Sequence, residues 1–456
     1  MTNGRQQDDR VAIAREHRLH GRYDECSKLL LELLQHDPMN AHAMLEGALL
    51  AIATGDYPVA ERFLQACRLF DPTNADLLVH AATSAFHQRQ PDRAVQHLTE
   101  AAALAPGDLA VRIARAQLLF TAGRDEEGLR EMQVAAQLPT PPGSVEGTRR
   151  ALARVAVGDW DGGWAEFAMH WEHTFAPYFR APRWWRGEAL AGEDLHVVAY
   201  GGLGDTIFYA RFLALAANRV RALHLCVPAP LQRLLRDVPG VASLTPHVSE
   251  IPEGAVTCSL WHLAWLLRDG YGESRPTAPY LHAPDDGPRL PPTDALRVGI
   301  AWAGNARAGH DADRSPADLA ALSPLLGVAG VQWYGLHPEA RAKAECAALG
   351  VTPLPEVRDL ADTAAVLRQL DLVITVDSAV SNLAPALGVP TWVFCTRIPE
   401  LRWPVGHERS PWFPSVRPFR RRDLNDWDAV ARAAAAALAE RVQRGVDADL
   451  PDYRRR

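Results

Sequence analysis

Small and apolar positions recur along the first third of the chain at an interval of 34 residues. Small residues stand at Cys26, Ala60, Ala94 and Gly128, and larger apolar ones at Leu30, Leu64, Leu98 and Met132. Gly21, Gly55 and Gly123 keep the same interval, with Arg89 at the remaining position, and Pro38, Pro72 and Pro106 form a further series. Glycine tolerates the left-handed backbone of a tight turn, and proline lacks the amide that a continuing helix needs, so each interval describes one helix-turn-helix unit. Four such pairs are predicted. A fifth, degenerate pair is expected across Ala153 to Trp171, where Gly158-Asp159-Trp160 echoes Gly55-Asp56-Tyr57 after an insertion around Pro139 to Gly143. It would pack the array onto the next domain.

Past the Trp- and Pro-rich connector Phe175 to Leu190, helical periodicity gives way to short apolar runs alternating with helical stretches, the pattern of parallel sheets. Leu195 to Tyr200, Leu223 to Val227 and Val256 to Ser259 read as strands, with Gly201 to Asp205 a loop and Thr206 to Ala217 a helix. Pro276 to Pro292, rich in Pro and Asp, reads as a linker. Leu296 to Trp302, Val331 to Leu336, Asp371 to Asp377 and Thr391 to Cys395 form a second set of strands, closed by a helix near Trp427 to Val442. The expected fold class is α + α/β: a helical solenoid over 1-174, then a Rossmann-like domain over 175-290 and another over 291-456. Two open parallel sheets in succession imply a cleft between them.

Composition narrows the function classes. A length of 456 residues suits two or three domains, and a formal net charge of -7 argues against general nucleic-acid binding. The basic runs Arg417 to Arg422 and Arg454 to Arg456 read as a solvated face and a frayed end. The six cysteines lie far apart, without CxxC pairs or a zinc-like Cys/His spacing, and read as reduced core residues of a cytoplasmic protein. No run of 18 or more apolar residues occurs, so no membrane span is expected.

Four stretches could carry chemistry. Asp371 to Phe394 reads as strand, turn, helix start and strand, and the amides at Ser378 and Ala379 can receive a diphosphate at a helix N-terminus. Asp377 suits a sugar hydroxyl or a cap better than phosphate, and Asn382 suits a core or cap role as well as a ligand. In Gly201-Gly202-Leu203-Gly204-Asp205-Thr206 the glycines let the backbone approach a ligand, and Asp205 is either a general base at the sheet edge or a helix cap. Ala301 to Ser315 is a long polar loop after a strand, offering Asn305, Arg307, Arg314 and Ser315 to phosphate. Arg397 to Pro414 supplies Arg402 and Trp403, which could stack a base or hold an acceptor, or pack the closing helix.

The repeat grid resembles tetratricopeptide (TPR) repeats. Together with DGGWAEFAMHWE, PRWWRGEALAG, GGLGDTIFYARFL, VGIAWAGN, DRS, DLADTAAVLRQLDLVITVDSAVSNLAPALG and SPWFP, it makes the chain similar to bacterial TPR proteins carrying a heptosyltransferase-like domain of glycosyltransferase family 9. That resemblance implies a GT-B fold whose first α/β domain takes the acceptor and whose second binds a nucleotide sugar, without an obligatory metal or other cofactor. It implies an inverting transferase with Asp205 as base and donor phosphates near Ser378, assisted by the Asn305 to Ser315 loop. The family usually has His where this sequence has Asn382, which cannot carry a proton near neutral pH. The leading expectation is sugar transfer to a protein hydroxyl, flagellin-like proteins being one acceptor class, with the concave face of the repeats recruiting the protein or peptide. A catalytically impaired TPR scaffold and a transferase acting on lipid-linked saccharide are the alternatives.

Overall fold

The computed structural model describes residues 2–179, 181–190, 192–271, 279–304, 314–405, 407–421 and 426–444. By packing, the chain divides into two units, Met1–Pro139 and Thr140–Arg456.

The first unit is a run of helix pairs of TPR type: α1 (Thr2–Leu19) with α2 (Tyr23–His36), α3 (Ala41–Thr54) with α4 (Tyr57–Phe70), α5 (Ala75–His87) with α6 (Pro91–Leu104), and α7 (Leu109–Thr121) with α8 (Asp125–Gln137). Gly21, Gly55 and Gly123 turn the chain within the first, second and fourth pairs with φ of 71°, 80° and 78°, and Arg89 adopts φ of 60° in the third. The turn is therefore kept where the glycine is missing, at a cost of about 1 kcal/mol for a side chain in the left-handed region. Cys26, Ala60 and Ala94 are wholly buried. At Gly128 even a methyl would not fit, since a Cβ there would lie 2.8 Å from the Phe120 ring. Each proline of the second series is followed two residues later by a cap: Asn40, Asn74 and Asp108 accept from amides of the next helix's first turn. One proline-x-cap tripeptide thus ends one pair and starts the next.

The second unit opens with the fifth pair, α9 (Val145–Ala156) and α10 (Trp160–Phe175). The sequence pattern puts the end of the repeats at residue 174, whereas packing divides the chain after Pro139. The reason is the buried aromatic face of α10. Trp164 meets Phe212 and Trp412 edge-on, Trp171 meets Trp184, and Ala168 O accepts from the buried His262. Helix α10 contributes to the core of the α/β region.

Two five-stranded sheets follow, parallel throughout. The first has the order β1-β5-β2-β3-β4, from β1 (Arg183–Trp184), β2 (Asp194–Val198), β3 (Ala222–Cys226), β4 (Val241–Thr245) and β5 (Val256–Ser259). The second has the order β10-β9-β8-β6-β7, from β6 (Leu296–Ala301), β7 (Val331–Gly335), β8 (Leu372–Val376), β9 (Thr391–Cys395) and β10 (Val416–Arg420). Strands β8 and β9 are buried at every position, as expected for parallel strands covered on both faces.

Some expectations need correction. The basic run at Arg417 is an edge strand: Val416 and Phe419 face the core, and Arg421 is buried over the Trp427 ring at 4.1 Å. Thr206 to Ala217 is not one helix but α11 (Leu203–Tyr209), a 3₁₀ turn at Ala210–Phe212 and α12 (Leu213–Ala217). The six cysteines are buried and unpaired.

Further side chains tie the two sheets of the second unit together. Arg233, from helix α13 (Ala229–Leu235) beside the first sheet, meets Asp362 and lies 3.0 Å from Asp359 Oδ1, beside the second. Arg211, from the first sheet's side, is buried among Phe208, Tyr280, Trp412 and Phe413 and donates from Nη1 to Trp412 O at 3.0 Å.

Candidate functional site

Strand β2 leads through Gly201, at φ of 94°, into α11. A Cβ on Gly201 would come within 3.0 Å of the Trp261 ring, so both the backbone angle and the close packing call for glycine. The helix begins at Leu203, earlier than the sequence pattern predicts, and Asp205 stands in its first turn. Its Oδ2 accepts from the Gly202 amide at 3.1 Å. Its Oδ1 faces Arg402 Nη1 at 3.4 Å. One oxygen thus fulfils the cap role, and the other points across to the second sheet's residues.

On that side β8 ends at Val376, and Asp377 and Ser378 lead into the Ala379–Ala386 helix. Ser381 Oγ lies 2.7 Å from Ser378 O and 3.3 Å from Asp377 Oδ1. Asn382, 1 % exposed, donates from Nδ2 to Ser378 O at 3.2 Å and accepts at Oδ1 from Arg402 Nη1 at 3.2 Å. Because arginine can only donate, that contact fixes which end of the amide is oxygen. Gly204 closes the junction: a Cβ there would stand 3.0 Å from Asn382 Nδ2 and 3.4 Å from Ala379 Cα.

Arg402 follows the C-terminal end of β9 and is largely buried. Glu400 forks it, with Oε1 at 2.8 Å from Nη2 and 3.0 Å from Nε. Burial works against the Arg402 charge, but Glu400, Asp377 and Asp205 outweigh it and raise its pKa further. The guanidinium is thus firmly cationic. Trp403, by contrast, is 2 % exposed and stacks on Phe413 at 6.2 Å between ring centres, so it presents no face to a base and the packing reading replaces the stacking one.

Arg314 Nη1 lies 3.9 Å from Asp377 Oδ2, and Ser315 Oγ accepts from the Gly304 amide at 3.0 Å. Asn305 and Arg307 lie outside the described residues. The structure thus brings Gly202, Gly204 and Asp205 together with Asp377, Ser378, Ala379, Asn382 and Arg402, with Arg314 joined through Asp377. It adds Glu400, which the sequence reading missed. The signal was present in Glu400-Leu401-Arg402, an acid two residues before an arginine, but a carboxylate in a loop gives no periodicity to read. Among the described residues no group of three or more His, Cys, Asp and Glu side chains is placed to hold a metal ion. Nor is any described helix long and apolar enough to cross a membrane.

No protein-family model matches the chain. Protein FlbA of Caulobacter vibrioides is 27% identical over 360 residues, covering 70% of this chain and 59% of FlbA. The chain thus spans about three-fifths of the length of that curated relative. Among solved structures, MamA from Desulfovibrio magneticus is 12% identical, covering 29% of this chain and 75% of its own, with a TM-score of 0.28. A thermophilic TPR protein of Thermus thermophilus is 16% identical, covering 36% and 90%, with a TM-score of 0.30.

Proposed function

We propose that the chain is a glycosyltransferase of GT-B type that moves a sugar from a nucleotide donor to a protein hydroxyl, its helix pairs recruiting the acceptor. The observation that carries this reading is the meeting of Asp205, beyond the C-terminal edge of one parallel sheet, with Asn382 and Arg402, beyond that of the other. Nucleotide ligands bind outside the C-terminal ends of parallel strands. In a single displacement Asp205 takes the proton of the acceptor hydroxyl, and the hydroxyl oxygen bonds to the anomeric carbon. The bond from that carbon to the donor phosphate oxygen breaks, and the nucleotide leaves with the electron pair. Attack opposite the leaving group inverts the anomeric centre. A base in this role contributes about 10²–10⁴-fold.

The test is incorporation of labelled sugar from a panel of nucleotide donors into protein from the same cells. Asp205→Asn, which can still cap the helix, is expected to lose transfer by about that factor. Full transfer by a folded Asp205→Asn protein would remove the base from this account. A scaffold without catalysis is the second reading, favoured by the three carboxylates that share Arg402. It predicts no heat on calorimetric titration with nucleotide sugars.

A further inference from the structure

Arginine has five N–H donors. On Arg402, Nε and Nη2 are directed at Glu400, and one Nη1 hydrogen goes to Asn382 Oδ1. The edge that remains on Nη1 faces Asp205 Oδ1, at 3.4 Å against 2.8 Å for the shortest Glu400 contact. Of the three, the Asp205 contact is the longest. It also reaches Arg402 from the other sheet's side, while Glu400 and Asn382 belong to the same side as Arg402.

Charge limits what this cation can accept. Glu400, Asp377 and Asp205 all act on it, so an incoming phosphate meets local negative charge as well as the guanidinium. An anion bonding at the remaining Nη1 hydrogen comes beside Asp205 Oδ1, 3.4 Å from Nη1 in an ion pair, so the two negative charges repel and compete for that part of the guanidinium. Glu400 is poorly placed to yield, being held at both Nε and Nη2.

We propose that Arg402 is a phosphate-binding cation and that Asp205 is its resident competitor, displaced from the guanidinium when an anionic ligand arrives. The identification of the anion as a donor's diphosphate rests on the transferase reading; the competition does not. Within that reading the exchange has a chemical use. Release from Arg402 uncovers the Asp205 oxygen that takes the acceptor proton in that reading. Access to the base and donor occupancy would then be coupled through one side chain, and an empty site would keep its base covered.

The competition makes an unusual prediction: removing an acidic side chain improves anion binding only while Arg402 is present. The probe is inorganic pyrophosphate, titrated calorimetrically into the full chain at constant ionic strength. Asp205→Asn is expected to bind at least about tenfold more tightly than the unaltered protein, a difference near 1.4 kcal/mol. Arg402→Lys is expected to bind more weakly, and Asp205→Asn with Arg402→Lys to show little of the gain, which is the signature of coupled neighbours. Asp205→Ser, whose hydroxyl can accept from the Gly202 amide as Ser381 does from that of Ser378, serves if the asparagine variant folds poorly. Unchanged, weaker or absent binding by the Asp205 variant overturns the proposal. So does an undiminished gain in the double variant, which would mean general relief of negative charge. Transfer is scored separately. Tighter pyrophosphate binding with no transfer from any donor removes the transferase reading and leaves the competition standing, whereas transfer without that gain does the reverse.

Discussion

Arg402 Nη1 donates to Asn382 Oδ1 at 3.2 Å, inside a helix that packs against the turn carrying Asp205. A buried amide that both donates and accepts has a structural role whatever ligand the site takes. Asn382→Leu keeps the approximate volume but leaves an Arg402 N–H and Ser378 O without this partner. The expected loss is about 1–3 kcal/mol, measured as a shift of the urea midpoint without a change in slope. Asn382→His can accept from Arg402 and donate to Ser378 O through its two ring nitrogens. It is expected to lose less than the leucine variant. Equal losses would show that shape, and not hydrogen bonding, sets the cost.

Gly204 stands where the helix that carries Asp205 passes close to the Ala379–Ala386 helix. A Cβ would sit 3.0 Å from Asn382 Nδ2 and 3.4 Å from backbone at Ala379, and backbone cannot swing aside as a long side chain can. Gly204→Val is expected to push α11 away from the Ala379–Ala386 helix and to weaken pyrophosphate binding by about tenfold or more. The fold should survive, because Gly204 stands at the edge of the core. The check is calorimetry beside far-ultraviolet circular dichroism. Unchanged affinity in the valine variant would mean that this contact does not shape the site.

Acid should unfold the second unit in two windows with separate causes. Burial, with the Arg186 charge, pushes the His262 imidazole down to about 4, against the pull of its bond to Ala168 O. The unfolded chain therefore takes up a proton first, near pH ~6.5, and stability is lost from there down to about 4. The loss amounts to at most about 3 kcal/mol. Asp362 behaves differently. Hydrogen bonds from the Arg358 side chain and amide and from Arg233 hold its carboxyl well below the usual range, against burial. Its contribution is complete above the unfolded value near ~3.9 and disappears only as pH falls further. His262→Gln should flatten the melting temperature profile in the upper window, and Asp362→Asn in the lower. A profile unchanged by either substitution would remove these residues from the acid response.

Much of the fold was legible because its constraints are local and repeated. The small positions at Cys26, Ala60 and Ala94 mark where helices cross closely, and the strands around Ile374 and Val393 are mostly apolar and buried at every position because both faces are covered. Edge strands escaped notice for the complementary reason. Strand β4 has a half-exposed pattern, and β10 carries Arg417 and Arg420 in the middle of what read as a charged surface run. In the site, Asp205, Ser378 and Asn382 could be picked out from turn chemistry. Their meeting through Arg402 and Glu400 could not, since it joins residues about two hundred positions apart and depends on how the two sheets face each other.

The division after Pro139 makes a prediction that the repeat grid does not. Trp164 and Trp171 of α10 are almost completely buried, and Trp160 and Phe167 pack against the core that holds Trp164. Without them Trp412, Phe212 and Trp184 lose their covering rings, and loss of one buried tryptophan already costs about 3–5 kcal/mol. A fragment of residues 140–456 is therefore expected to be soluble, to melt cooperatively and to keep any pyrophosphate binding of the full chain. A fragment of residues 175–456, cut where the repeat pattern ends, is expected to aggregate or to lose its near-ultraviolet circular dichroism. Trp164→Ala in the full chain should lower stability by a similar amount while leaving the helix pairs of residues 2–137 intact, which limited proteolysis can report. A cooperative 175–456 fragment beside an aggregated 140–456 fragment would return the boundary to the end of α10 and make the fifth pair part of the array.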